Sequence, residues 1–187
     1  MKYCTLDLET TCINPKCLES ILMFSFVIED SSNNCALELN ELPHYSGFIN
    51  HKKIVGEPYA LQMNQWILKI LAKVDKQPRH PVIEPEHFES SVHAFLNAHF
   101  PNNQKIILAG KNVGSFDLQF LPKSIQDRFA ARSIDPGSIF INWDSKYPPS
   151  LDEVKKITGR DGIVAHDAYE DCLDVIGALR TTYPGEK

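Results

Sequence analysis

The apolar and polar positions along the chain predict strands first and helices later. Residues 2–8 (KYCTLDL) form an apolar, strand-favouring run, and Ile21 to Glu29 (ILMFSFVIE) is apolar enough for a central strand. After the turn cluster Ser31-Ser32-Asn33-Asn34, leucines at 37, 39 and 42 between polar residues predict a third strand over Ala36–Leu42. Ser46 to Asn50 suits a short further extended piece. Pro58 opens a helical region with Leu61, Ile67, Leu68 and Leu71 at helical spacings, and residues 76–85, with three prolines, form a loop. Pro85 to Phe100 reads as an amphipathic helix with Phe88, Val92, Phe95 and Leu96 inward, followed by a short buried strand over Lys105–Ala109. The glycine-bracketed turn Gly110 to Gly114 leads to Ser115, a candidate helix cap, and residues 124–131 read as helix. Arg132 to Asp135 suits a last short strand, and 136–149 a long connection. Ser150 with Glu153 three residues on has the form of a capping box, opening a helix that stops at Gly159. Ala165 to Thr182 is a final helix with Ala168, Cys172, Val175, Ile176 and Leu179 on its apolar side. Interleaved strands and helices without a repeat or a boundary predict a single mixed α/β domain over 1–187.

Charge refines this picture. The net charge of −5 is spread unevenly: residues 1–50 carry −5, residues 51–80 carry +4, and the remainder −4. A tight non-specific nucleic-acid binder usually has a strong basic excess, which this chain lacks. Its basic middle is either a solvated surface or a place where phosphates meet an acidic site. No apolar run approaches the roughly 20 residues that cross a bilayer, and no signal peptide precedes the first strand, so a cytoplasmic protein without membrane contact is expected. The five cysteines, at 4, 12, 17, 35 and 172, make no Cys-x-x-Cys pair and read as reduced, structural thiols rather than zinc ligands.

The candidate chemistry begins in the first strand. Asp7 and Glu9 are two apart and therefore share a face, while Leu6 and Leu8 turn to the other. Adjacent carboxylates repel unless a cation sits between them, and a hard divalent ion suits such an oxygen pair. A strand with one wet face has the same spelling. Asp117 follows the glycine turn at the start of a helix, where an acid also gains from the helix dipole alone. The last helix opens with His166-Asp167-Ala168-Tyr169-Glu170-Asp171. His166 and Asp171 are five apart, about 140° around a helix, so they converge only if His166 lies at or before the first turn.

Taken in order, these three pieces resemble the DEDDh class of 3′→5′ exonucleases in the ribonuclease H-like superfamily, which includes polymerase proofreading subunits, ribonuclease T and oligoribonucleases. The motifs are Leu6-Asp7-Leu8-Glu9-Thr10-Thr11, Asn112-Val113-Gly114-Ser115-Phe116-Asp117 and His166-x₄-Asp171, and they span nearly the whole chain. Two departures stand out: Cys12 replaces the glycine that commonly follows the paired threonines, and Asn112 to Asp117 is five steps where four are frequent. The sister class with a catalytic tyrosine needs Tyr at position 167, which is Asp.

The resemblance implies a ribonuclease H-like mixed central β-sheet flanked by α-helices, and two divalent cations, Mg²⁺ or Mn²⁺. By the same resemblance Asp7, Glu9, Asp117 and Asp171 hold the metals, and His166 is the general base. Leu8 and Thr10 would lie beside the terminal nucleotide, Met63, Asn64 and Phe116 against its base, with Trp66 as a further stacking candidate and Asn112 as a substrate contact. Met63 and Trp66 also suit a helix core. The implied activity is removal of nucleoside 5′-monophosphates from single-stranded DNA or RNA 3′ ends. Two alternatives stay open: a non-catalytic nucleic-acid- or protein-binding module on the same fold, and a phosphohydrolase of small substrates. A homodimer and a polymerase partner both stay open as well.

Overall fold

The computed structural model describes residues 1–14, 20–33, 35–73, 78–160, 164 and 166–184. Expectations that fall on Pro15, Cys17, residues 76–77 and Ala165 lie outside them. Six strands form one mixed sheet: β1 (Lys2–Thr10), β2 (Ile21–Asp30), β3 (His44–Ile49), β4 (Val82–Ile83), β5 (Ile106–Ala109) and β6 (Phe129–Ile134), in the order β4-β3-β2-β1-β5-β6. β1 pairs antiparallel with β2, and β2 with β3, while β5 lies parallel to β1 and β6 parallel to β5. This is the mixed α/β sheet that the apolar pattern predicts. No helix among the described residues is long and apolar enough to cross a membrane.

Alternation along β1 builds two cores. Cys4, Leu6 and Leu8 join Phe24, Phe26, Phe88, Val92 and Leu96 on one face, covered by α3 (Pro85–His99), α4 (Asp117–Phe120) and α5 (Lys123–Gln126). Tyr3 points to the other, with Val27, Phe48, Ile67, Cys172 and Ile176. That face is covered by α2 (Gln65–Leu71), α7 (Leu151–Ile157) and α8 (Ala168–Arg180). The face of Tyr3 is also the face of Asp7 and Glu9. A register shift between Glu9 and Thr10 ends the regular ladder there and re-aims the strand end.

Several sequence expectations change, and the loop expected over residues 76–85 contains β4, which pairs with β3. Ala36–Leu42 is not a strand; it holds a 3₁₀ turn over Leu39–Glu41, with Glu38 and Glu41 forming a capping box. The third strand is instead His44–Ile49, whose last four residues are buried, as are few of the residues before it. Gly47 is required there, since a Cβ would stand 2.9 Å from the Pro81 carbonyl oxygen and 3.1 Å from the Phe24 ring. The helix expected over 124–131 ends at Gln126, because residues 129–134 take up pairing with β5. Within the connection, Asp135 accepts from the Gly137 N–H at 2.7 Å and caps a short helix, α6 (Pro136–Ile139).

The Ser150–Glu153 capping box forms as spelled, and Thr158 and Gly159 end α7, Gly159 at φ +71°. The four described cysteines are free. Two part-buried ion-pair groups fix α8: Arg180 Nε lies 2.6 Å from Glu29 Oε2, and Asp174 meets both Lys155 and Arg160. α8 is thereby anchored at its far end, which leaves its first turn to address the sheet.

Candidate active site

The site lies where β1, the turn after β5 and the start of α8 meet. A cleft of about 460 Å³ opens there, lined by Asp7, Leu8, Glu9, Asn112, Phe116, Asp117, His166 and Asp171 among others. All four sequence-predicted acids and the histidine therefore face one space. Each arrives by a different route. Asp7 and Glu9 come from the alternation of β1. Asp117 is the first residue of α4, buried, and its Oδ1 accepts from the Leu8 N–H at 3.0 Å. The N-cap position of α4 is Phe116 rather than Ser115, whose hydroxyl donates to the Asn112 carbonyl.

Asp171 sits in the first turn of α8 and is buried. His166 lies two residues before the helix, outside its capping residue Asp167, so the 140° separation does not apply. Its φ of +50° is unusual for a non-glycine residue, and Trp66 Nε1 donates to its carbonyl oxygen at 3.2 Å. Backbone held in this region at a chemically equipped cleft is a sign of a conformation maintained by its surroundings. Glu9, His166 and Asp171 each offer a ligand atom, and these atoms lie within 4.8 Å of one another.

The electrostatics are those of buried acids crowded against one another. Burial, then the charges of Asp117, Asp171 and Glu9, push Asp7 well above the usual carboxylate range. Burial, then Asp171 and Asp117, raise Glu9 to about 8. Burial raises Asp117 to about 7, against the pull of the Leu8 N–H. Such a donor set, hard oxygens with one imidazole, fits divalent cations.

These raised values have a signed consequence. A carboxyl whose folded pKa exceeds its unfolded value stabilises the fold at low pH, and the contribution fades as pH rises from about 4 towards 8. Metal-free Glu9→Gln should therefore match wild type near about pH 4 and melt several degrees higher near about pH 8.5. Roughly 1 kcal/mol moves Tm by about 2–4 °C in a domain of this size. Adding Mg²⁺ should reverse the order at the higher pH by stabilising only wild type. Equal melting temperatures in EDTA at both values would contradict the mutual repulsion of these acids.

The residues expected to meet substrate divide. Leu8, Asn112 and Phe116 line the cleft. The Leu8 N–H is already engaged by Asp117. Asn112 is exposed at φ +56°, its N–H donating to Asp135 Oδ2 at 2.9 Å, and the Phe116 ring packs 5.0 Å from Phe120. Thr10, Met63 and Asn64 stand outside the cleft lining. The Thr10 hydroxyl donates to the Cys12 carbonyl, Met63 ends α1 (Pro58–Met63), and the buried Asn64 donates to the Thr10 carbonyl at 3.0 Å. Asn64 also hydrogen-bonds Glu9, so it steadies a carboxylate. Trp66 packs edge-to-face on Phe48 and tethers the His166 backbone.

Sequence reasoning missed Lys111. It is the one lysine or arginine among the described cleft-lining residues, with Nζ 3.1 Å from Asn112 Oδ1 and 3.5 Å from Asp135 Oδ1. Its place inside the glycine-bracketed turn was the available signal.

No family model matches the chain, and no curated protein matches it. Solved structures do. Escherichia coli exonuclease I in complex with a dT13 oligonucleotide aligns with TM-score 0.65 at 16% identity, over 97% of this chain and 40% of its own. The same enzyme with dA16 gives 0.66, also at 16% identity, over 97% and 41%. A 3′-exonuclease described in 3′-end-specific recognition of histone mRNA stem-loop gives 0.60 at 12% identity, over 97% and 80%. The chain spans about two-fifths of the length of exonuclease I. At these identities the likeness establishes the fold alone, a mixed sheet flanked by helices as in these neighbours.

Proposed function

We propose that the protein is a metal-dependent 3′→5′ exonuclease that releases nucleoside 5′-monophosphates from single-stranded DNA or RNA. The observation that carries this reading is the meeting of Asp7, Glu9, Asp117, Asp171 and His166 in one cleft from three distant parts of the sequence. Solved neighbours bound to a dT13 oligonucleotide or recognising a histone mRNA 3′ end support a nucleic-acid substrate and leave both sugars in play. A binding module has no need of four acids that repel one another and a phosphate backbone alike.

Two divalent cations, Mg²⁺ or Mn²⁺, suit the donor set, and when bound they supply Lewis acidity at the attacking and leaving oxygens. Asp7, Glu9, Asp117 and Asp171 would hold the ions, with His166 within ligand reach beside Glu9 and Asp171. The His166 imidazole would take the proton of the attacking water, a transfer typically worth about 10²–10⁴-fold. Phe116, half-buried on the cleft wall, offers an aromatic face to the terminal base.

The test uses 5′-labelled DNA and RNA oligonucleotides with Mg²⁺, Mn²⁺ or EDTA. The expected result is a ladder that shortens from the 3′ end and is absent in EDTA. Metal-independent cleavage, or cuts that begin inside the strand, would contradict the proposal.

A further inference from the structure

A second groove, of about 520 Å³, lies between the 140–149 segment and the end of α7. Phe140, Lys146, Tyr147, Pro149 and Lys156 are among its walls. Tyr147 is 70% exposed, with Lys146 Nζ 5.2 Å from its ring centroid, and Trp143 in the same segment is 86% exposed. Rings this open contribute little to the core, and a local cluster of them marks an interaction surface. The groove's acid, Glu153, is turned back on its own helix start, accepting from the Ser150 N–H at 2.7 Å and its hydroxyl at 3.0 Å. Lys146 and Lys156 thus give the groove a basic character opposite to that of the acidic cleft.

The two spaces are neighbours on either side of Gly137. A Cβ at Gly137 would stand 2.6 Å from Lys111 Nζ and 2.9 Å from the Pro149 carbonyl oxygen. Lys111 lines the cleft and Pro149 the groove, and Leu151, two residues on, lines the cleft again. Only the α6 start separates them, and its glycine keeps that partition thin.

We propose that this groove carries the nucleotides upstream of the scissile bond, with bases stacking on Tyr147 and Trp143 and phosphates meeting Lys111, Lys146 and Lys156. The inference rests on the nuclease reading. An acidic cleft repels a polyanion, and flanking cations with aromatic faces supply a hold that tolerates any base sequence. A dinucleotide fills only the cleft, whereas an octanucleotide reaches the groove.

The double variant Tyr147→Ala/Lys156→Ala changes only exposed side chains, so its fold is expected to persist. Relative to wild type, its kcat/KM on a single-stranded octanucleotide should fall by about 10-fold or more, and on a dinucleotide by less than about 2-fold. The salt dependence of octanucleotide binding should become shallower. Equal effects on both lengths, or none, would overturn the groove while leaving the nuclease reading intact. If wild type cleaves neither substrate, anisotropy of a labelled octanucleotide still decides: weaker binding by the double variant supports the groove, and unchanged binding overturns it. A variant that alters self-association in sedimentation and leaves length dependence untouched would make this a contact between copies, which also overturns the proposal.

Discussion

Asp7→Asn is expected to lower mononucleotide release by about 10³-fold or more, because it removes the carboxylate on which the other acids converge. Metal-ion stabilisation of charge in phosphoryl chemistry is worth several kcal/mol, and about 4 kcal/mol corresponds to roughly 10³ in rate. Asp7 is held in β1 by pairing with Ser25 of β2, and Leu6 and Leu8 anchor it from the opposite face. Asparagine keeps the shape and removes the charge. The variant should therefore fold, and in EDTA at mildly alkaline pH it should melt above wild type, since burial and three neighbouring acids hold Asp7 far above the usual carboxylate range. Thermal melts and single-turnover rates on the same preparation check both halves. Activity within about tenfold of wild type would place the metal-holding charge elsewhere.

The second large effect concerns His166. His166→Ala should cost about 10²–10⁴-fold in kcat, the usual range for a positioned general base. Since His166 also lies within ligand distance of Glu9 and Asp171, base and metal ligand must be told apart. A base predicts an unchanged dependence of rate on Mg²⁺ concentration and partial rescue by added imidazole. A ligand predicts a large shift in metal requirement and no rescue. Replacing Trp66 by Phe should give a milder loss, because it removes only the hydrogen bond to the His166 carbonyl and leaves the imidazole in place.

Much of the site was legible because its spacing obeys local periodicity. Asp7 and Glu9 share a face by the twofold alternation of a strand, and the buried residues on either side of them fix that register. The Ser150–Glu153 box is equally local. His166 was readable as a candidate, but its convergence with Asp171 depends on a positive φ outside the helix, which spacing alone leaves undetermined. Long-range packing accounts for the errors. The leucines of 36–42 imitate a strand, yet Leu37 is exposed and Leu42 buried, and the sheet takes His44–Ile49 instead. Phe129 to Ile134 looks partly helical until β5 supplies a parallel partner. Thr10, Met63 and Asn64 are not among the residues that line the cleft, and the buried Asn64 donates to the Thr10 carbonyl. Lys111 shows the converse: an ordinary lysine by spelling, given meaning only by Asp135, Asn112 and the acids across the cleft.

In the proposed reaction water attacks the phosphorus of the last phosphodiester and the 3′ oxygen of the preceding nucleotide leaves. Hydrolysis of a single-stranded oligonucleotide in ¹⁸O-water with Mg²⁺, followed by mass spectrometry of the products, tests this most directly. The expected products are a nucleoside 5′-monophosphate carrying one ¹⁸O on its phosphate, and a shortened strand with an unlabelled 3′-hydroxyl. Nucleoside 3′-phosphates, a cyclic phosphate, or label in the sugar of either product would contradict that reaction.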